Sequence, residues 1–334
     1  MHKIILEDVE NILEKTDLKS LKNSRILITG ATGIIGTYLI ACLKNIKEAQ
    51  NLEIYAWTNS SIPEFSKEIF KGCEIIIGDI TEPENFKNLP KFDYIIHAAG
   101  YGQPIKFVKD KIKTIKINTS ATIQLFNVLK DGGRFLFMSS SEVYNGIESC
   151  NINENMMGNT NTSHFRSCYI EGKKCGESIC HAYAELGYNV KIARLSLAYG
   201  PGTRVDDERV INTFIKNGLT KKHITMLDHG ESIRTYCYIT DAIEMIFNVF
   251  LHGKHVIYNV GGVSRTSIYD MAYTISKLLN VDVILPDLEK PLVGNPAFVG
   301  INCDRYMSEF EKNGFTHLKN GLEKTINWYK KLLT

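Results

Sequence analysis

A short apolar run that ends in three regularly spaced glycines limits this chain most. Arg25-Ile26-Leu27-Ile28-Thr29 reads as a buried strand, and Gly30-Ala31-Thr32-Gly33-Ile34-Ile35-Gly36 follows at once. The spacing is G-x-x-G-x-x-G. Such glycines permit a tight turn, close approach of backbone to a pyrophosphate, and close packing of helix on sheet. Residues 34–43 carry a helical pattern. Phosphates at this turn would meet free N–H groups and the positive end of a helix dipole. A glycine-rich strand–turn–helix is ordinary by itself, but its place after the first apolar strand favours dinucleotide binding.

The alternation continues along the chain. Apolar runs at 52–57, 74–77, 94–98, 134–138 and 190–195 read as strands. Between them, 107–129 is mostly helical in pattern and 165–186 reads as one long helix. Continuous apolar strands alternating with helices predict an α/β fold, a doubly wound parallel sheet of Rossmann type. After Gly200-Pro201-Gly202 the pattern loosens. Helices are expected at 208–218, 240–251, 267–279 and 319–332, and short strands near 255–260 and 281–285. The expected organisation is an N-terminal helical extension (1–23), a dinucleotide-binding domain (24–200) and a smaller mixed α/β substrate-binding region (201–334). Part of that last region returns to the first domain.

Composition excludes several functions. Lysine and arginine total 39 and the acids 37, a formal charge of +2, which gives no support to a nucleic-acid or membrane-surface binder. No apolar run reaches the roughly 18 residues of a membrane span, and the N-terminus lacks a signal-peptide core. Cys42, Cys73, Cys150, Cys168, Cys175, Cys180, Cys237 and Cys303 contain no C-x2-C pair. They read as reduced thiols of a cytoplasmic protein, with no metal expected.

Two more segments bear on chemistry. The second strand ends Ala56-Trp57-Thr58-Asn59-Ser60, without the acid that holds the ribose of NAD and without a cation for a 2′-phosphate. Asn59 could bond ribose hydroxyls. NAD is favoured for want of a cation, and NADP stays open. Asp79, followed by Ile80, is a candidate for the adenine edge or a loop cap. Further on, Tyr169 and Lys173 stand four apart in the long helix and share a face. An ammonium beside a phenol lowers its pKa, so the tyrosine could take a proton from a sugar hydroxyl as hydride leaves the same carbon.

Gly30/Gly33/Gly36, His97-Ala98-Ala99-Gly100, Asn118-Thr119, Ser139-Ser140-Ser141-Glu142-Val143-Tyr144 and Tyr169-x-x-x-Lys173 occur in the order of the extended short-chain dehydrogenase/reductases. Over about residues 24 to 332 the chain resembles the nucleotide-sugar epimerases, dehydratases and decarboxylases of that group. The resemblance implies a nucleotide-diphosphate sugar as substrate and oxidation of its hexose at C4 by bound NAD. It also implies a homodimer built on helices 107–129 and 165–186, and a setting such as polysaccharide biosynthesis. Thr32 and Ile35 would stand in the glycine turn on the cofactor. Tyr169 would be the base, Lys173 its partner on the nicotinamide ribose, and Ser140 the donor to the reacting hydroxyl. Ala98, Ala99 and Gly100 would pass the cofactor, and Asn118 would support the site.

Glu142 resembles the glutamate of dehydratases and glucuronate decarboxylases, where a carboxylate works near C5; a capping role is the alternative. The residue before it is Ser141, where one common dehydratase type has Asp. The expected reaction is therefore 4,6-dehydration or UDP-glucuronate decarboxylation. A 4-epimerase or plain C4 dehydrogenase is the alternative, and a non-catalytic cofactor-binding protein a further one. Asp206 to Ile215 is similar to the decarboxylase stretch opening the substrate region, which nominates Arg209 and Asn212; Arg234 matches a recurrent anion-binding arginine, and Gln103 is nominated to face the sugar. Two departures stand out. Leu197 replaces an asparagine of the relatives, and Val299 to Asp304 lacks their Arg and Pro.

Overall fold

A computed structural model of the chain describes residues 3–147, 149, 151–287 and 298–333. Its centre is a seven-stranded sheet, β1 (Arg25–Thr29), β2 (Glu53–Thr58), β3 (Glu74–Ile77), β4 (Phe92–His97), β5 (Leu129–Ser140), β6 (Asn189–Leu195) and β7 (Ile257–Val260). The spatial order is β3-β2-β1-β4-β5-β6-β7, and every pairing is parallel. The order reverses beside β1, so a crevice opens at the C-terminal ends of β1 and β4. The strand period of two divides the core: Ile26 and Ile28 pack on one face of the sheet, Leu27 and Trp57 on the other.

Besides a single turn at Lys67–Phe70, the helices are α1 (Lys3–Leu13), α2 (Ile34–Gln50), α3 (Pro104–Lys109), α4 (Lys111–Asn118), α5 (Ser120–Asn127), α6 (Ser167–Glu185), α7 (Val210–Thr220), α8 (Ile239–His252), α9 (Ile268–Leu279), α10 (Asp304–Phe310) and α11 (Leu318–Leu333). The expected helical run 107–129 is broken twice. Asp110 leaves helical geometry and its side chain accepts from the Lys113 N–H, which starts α4. Thr119 then separates α4 from α5. β5 begins five residues before the expected 134, because Leu129 already pairs with Phe92. β7 lies far along the chain but closes the edge of the main sheet against β6.

α1 buries Ile5, Val9 and Ile12 and packs on α2 and α8. Asp8 lies in the same stripe and is fully buried. Its Oδ2 accepts from the hydroxyls of Tyr38 (2.9 Å) and Tyr238 (2.8 Å), and its Oδ1 from Lys324 Nζ (2.6 Å). A second buried acid, Glu177 on α6, takes Arg194 Nε (2.9 Å) and Nη2 (2.7 Å) and the Ser139 hydroxyl (2.5 Å). These bonds tie α6 to β5 and β6. Seven cysteines are free thiols and Cys150 lies outside the described residues. Among the described residues no group of His, Cys, Asp or Glu is arranged to hold a metal, and no helix is long and apolar enough to cross a membrane.

Candidate active site

Gly30 turns the chain with φ +65°, and a Cβ there would meet Ala98 O at 2.4 Å. The turn can therefore lie directly on the end of β4. Gly36, inside α2, faces Ala31 Cα and Gly30 O at 2.6 Å in the same sense, which packs the helix on the turn. No side chain caps the start of α2. Its first N–H groups are free for phosphate oxygens.

A buried network fixes the neighbouring loop. His97 Nε2 lies 3.0 Å from Ile117 O, so it carries the proton and donates. His97 Nδ1 then accepts from the Thr29 hydroxyl at 2.7 Å, and Thr29 Oγ1 accepts the Ala99 N–H at 3.1 Å. Burial, with the charge of Lys173 nearby, pushes the His97 pKa down to about 3, so the ring stays neutral.

One cleft collects most of the residues nominated for the cofactor. Gly30, Thr32 and Gly33 line it on the turn side, Asn59, Asp79 and Ile80 at the ends of β2 and β3, and Ala98, Ala99 and Gly100 after β4. Ile35 and Gly36 sit behind the turn and do not line it. Asn118 lies at the crossing of α4 and α6: a Cβ on Gly176 would strike Asn118 O at 2.7 Å. Its Nδ2 donates to Thr114 O (2.8 Å), while Oδ1 is buried without a partner. Asp79 is held by Thr81 N (2.9 Å) and the Thr81 hydroxyl (2.8 Å), and pairs with Lys113 at 2.6 Å. Those donors keep its carboxyl below the usual range against a burial effect of opposite sign. Lys113 is the one cation lining the cleft among the described residues, and it is already paired. The glycine cradle and open helix end fit a dinucleotide, and the end of β2 offers no cation to a 2′-phosphate.

The chemical centre abuts this cleft. A Cβ on Gly100 would touch Lys173 Nζ at 3.8 Å. Lys173 Nζ donates to Met138 O (2.6 Å) and stands over the Phe137 ring at 4.9 Å. Burial pushes its pKa down to about 7. Tyr169 lies beside Ser140, whose hydroxyl draws the phenol pKa down, and stacks on Phe107 with ring centroids 4.6 Å apart. The expectation that Lys173 lowers the Tyr169 pKa is corrected here. Burial lifts the phenol to about 12, and the Glu142 carboxylate adds to it, with Ser140 and Arg166 opposing; the Lys173 ammonium stands 5.8 Å from the Tyr169 ring centroid and gives its hydrogen bond to Met138 O.

Glu142 lies in a helical turn, 141–144, that Ser140 caps by accepting the Glu142 N–H at 3.2 Å. Ser141 only begins that turn. The Glu142 carboxyl is not a closed ion pair. Oε1 accepts from Arg166 Nη2 at 2.7 Å, and Oε2 is buried without a partner. Burial raises its pKa, while Arg166, Arg234 and His164 pull it down. Arg166 escaped the sequence reading, although it stands three residues before Tyr169.

The substrate-side nominations divide. Arg234 feels Glu142, Tyr236, Arg166 and Asp228, and its Nη1 donates to Ile233 O at 2.8 Å. It belongs with the centre. Arg209 instead grips Asp207 through Nε (3.0 Å) and Nη2 (2.8 Å), and Asn212 Nδ2 donates to the same carboxylate at 2.9 Å. Those polar groups hold the start of α7. Gln103 Oε1 accepts from Glu208 N at 3.4 Å, across to the loop before α7. Leu197 adopts a φ of +34°.

The chain is similar to known proteins. A decarboxylase of Arabidopsis thaliana, UDP-glucuronic acid decarboxylase 6, is 31% identical over 270 residues, 80% of this chain and 78% of that one. In solved structures the fold recurs in an epimerase of Methanothermobacter thermautotrophicus (TM-score 0.81, 18% identity, 99% of this chain and 96% of that one). It recurs also in a UDP-glucuronic acid 4-epimerase of Bacillus cereus in complex with UDP-glucuronic acid and NAD (TM-score 0.74, 22% identity, 92% and 99%). The glycine turn, the cleft and the Ser–Tyr–Lys centre all lie within residues 26–261, which match one family model. The chain belongs to the NAD dependent epimerase/dehydratase family.

Proposed function

We propose that this protein binds NAD and a nucleotide-diphosphate sugar, oxidises the sugar at C4 and removes its C6 carboxylate, as a UDP-glucuronate decarboxylase does. The observation that carries the reading is Glu142 Oε2, buried and unpartnered beside Ser140 and Tyr169, with Arg166 and Arg234 close by. A substrate carboxylate needs a cation near it, and a planar guanidinium suits one. The decarboxylase relatives support the same reading.

In this reading Ser140 bonds the C4 hydroxyl and Tyr169 takes its proton. Bound NAD supplies the acceptor for the C4 hydride and afterwards its donor. The C4 ketone is then β to the C6 carboxylate. The C5–C6 bond breaks, its electron pair passes through C5 to the C4 oxygen, and carbon dioxide leaves. Glu142 delivers a proton to C5, and Tyr169 returns one to the C4 oxygen. Lys173 holds the nicotinamide ribose, Arg234 the anionic end of the substrate, and the glycine turn the pyrophosphate.

The test is product mass after incubation with NAD and a panel of nucleotide sugars. Loss of carbon dioxide from UDP-glucuronate, with no net reduced cofactor, is expected. Loss of water from a hexose would make the enzyme a dehydratase, and an isomer of unchanged mass an epimerase. Tyr169→Phe should abolish turnover and keep the cofactor. The same reading makes the protein a cytoplasmic homodimer. Ile112, Ile115 and Ile123 are exposed on α4 and α5, and light scattering should give twice 37.8 kDa.

A further inference from the structure

Arg166 joins three parts of the centre that are distant in sequence. Its carbonyl accepts the N–H groups of Tyr169 (3.0 Å) and Ile170 (3.2 Å), so its backbone starts the helix that carries the tyrosine. Its side chain runs back to Glu142 Oε1 at 2.7 Å. Its guanidinium stands over the Phe107 ring at 5.8 Å, and that ring stacks on Tyr169. One side chain therefore touches the carboxylate and the ring that backs the phenol.

The pair with Glu142 is built differently from the structural pair on α6. Arg194 closes on Glu177 with two parallel bonds, the strongest arrangement of these groups. Arg166 makes one bond, and both Arg166 Nε and Glu142 Oε2 are buried without partners. Leaving two buried polar atoms bare is costly where only stability is at stake. It is useful where one oxygen must be held and the other presented.

We propose that Arg166 is a positioning residue, which holds Glu142 by Oε1 so that Oε2 faces the substrate. The reaction assigned to Glu142 rests on the decarboxylase reading above; the positioning does not. The charged and titratable groups facing Glu142 are Arg166, Arg234 and His164, with the phenol of Tyr169 responding to it. Of these only Arg166 bonds the carboxylate.

The experiment compares the NAD-loaded wild type with R166M, R166K and E142Q. Glu142 is titrated by infrared difference spectroscopy against E142Q, and rates of cofactor reduction and carbon dioxide release are measured with UDP-glucuronate. In R166M the Glu142 midpoint should rise by about one unit or more. Carbon dioxide release should fall by ~10²-fold or more, the usual worth of a placed acid–base group, while cofactor reduction falls far less. R166K should lie between R166M and the wild type in both readouts. An unchanged Glu142 midpoint in R166M overturns the proposal, as does an equal fall in both steps. If R166M fails to fold, R166K decides: a midpoint and a partition between steps identical to wild type overturn it. A wild type that releases no carbon dioxide, with a midpoint that still moves with Arg166, sustains the positioning and removes the decarboxylase reading.

Discussion

Asp8 and Glu142 are both acids in buried surroundings, and they are finished in opposite ways. Asp8 has a donor on each oxygen, from two tyrosine hydroxyls and a lysine. Glu142 has one donor on one oxygen and nothing on the other. A buried charge is tolerated when its hydrogen bonds are complete, and incompleteness costs free energy. The first site is architecture: it ties α1 to α2, to the segment before α8 and to α11. The second leaves one carboxyl oxygen without a partner in the wall beside Ser140 and Tyr169. Glu177, with Arg194 and Ser139, sides with Asp8.

Substitutions can break this contrast. E142Q should show the largest effect, a fall in turnover of ~10²–10⁴-fold. Its stability should change by less than about 1 kcal/mol, since the amide oxygen can still accept from Arg166. Turnover measured beside thermal melting checks both halves, and a strongly destabilised E142Q would put Glu142 among the structural acids. E177Q should do the reverse at nearly the same scale. It disrupts a closed buried pair and should lose about 3–5 kcal/mol of stability in denaturant unfolding. D8N is milder, about 2 kcal/mol, because Lys324 is part-exposed and can turn to water. Wild-type kcat in D8N below its melting point would separate that cluster from catalysis.

Lys173 extends the contrast to a cation. Its folded pKa is depressed to about 7, so its protonated form is disfavoured by folding. Below about 7 that penalty is fully present. It is relieved as pH rises toward the ordinary lysine value of ~10.5, because the unfolded chain then binds more protons. Wild-type stability should therefore carry a rising component across this window, and K173M should lose it. Urea midpoints from pH 6 to 10 measure the difference, and parallel curves would contradict it.

What was legible in the sequence follows from distance along the chain. The glycine turn, the Tyr169–Lys173 pair and the Ser139–Glu142 turn are local, and the structure joins them through the parallel order of β1, β4 and β5. Arg166 was not legible, because its partner stands 24 residues away and their meeting depends on how α6 leaves the sheet. Arg209 and Asn212 were nominated to the substrate, yet they close on Asp207 within five residues. Asp8 carried a signal that went unread. A carboxylate in the stripe of Ile5, Val9 and Ile12 has to find donors inside the core. The break of 107–129 into three helices turned on Asp110 and Thr119, whose capping geometry a helical period does not reveal.

The partners of Asp8 also set a schedule for the making of the molecule. Tyr238 lies 230 residues further on and Lys324 lies 316. At about 5–20 residues per second, a ribosome needs roughly 15–60 s after releasing α1 before the last of these donors emerges. Throughout that interval the carboxylate lacks its lysine. α1 is thus made long before the last of its partners, and it is among the helices locked latest.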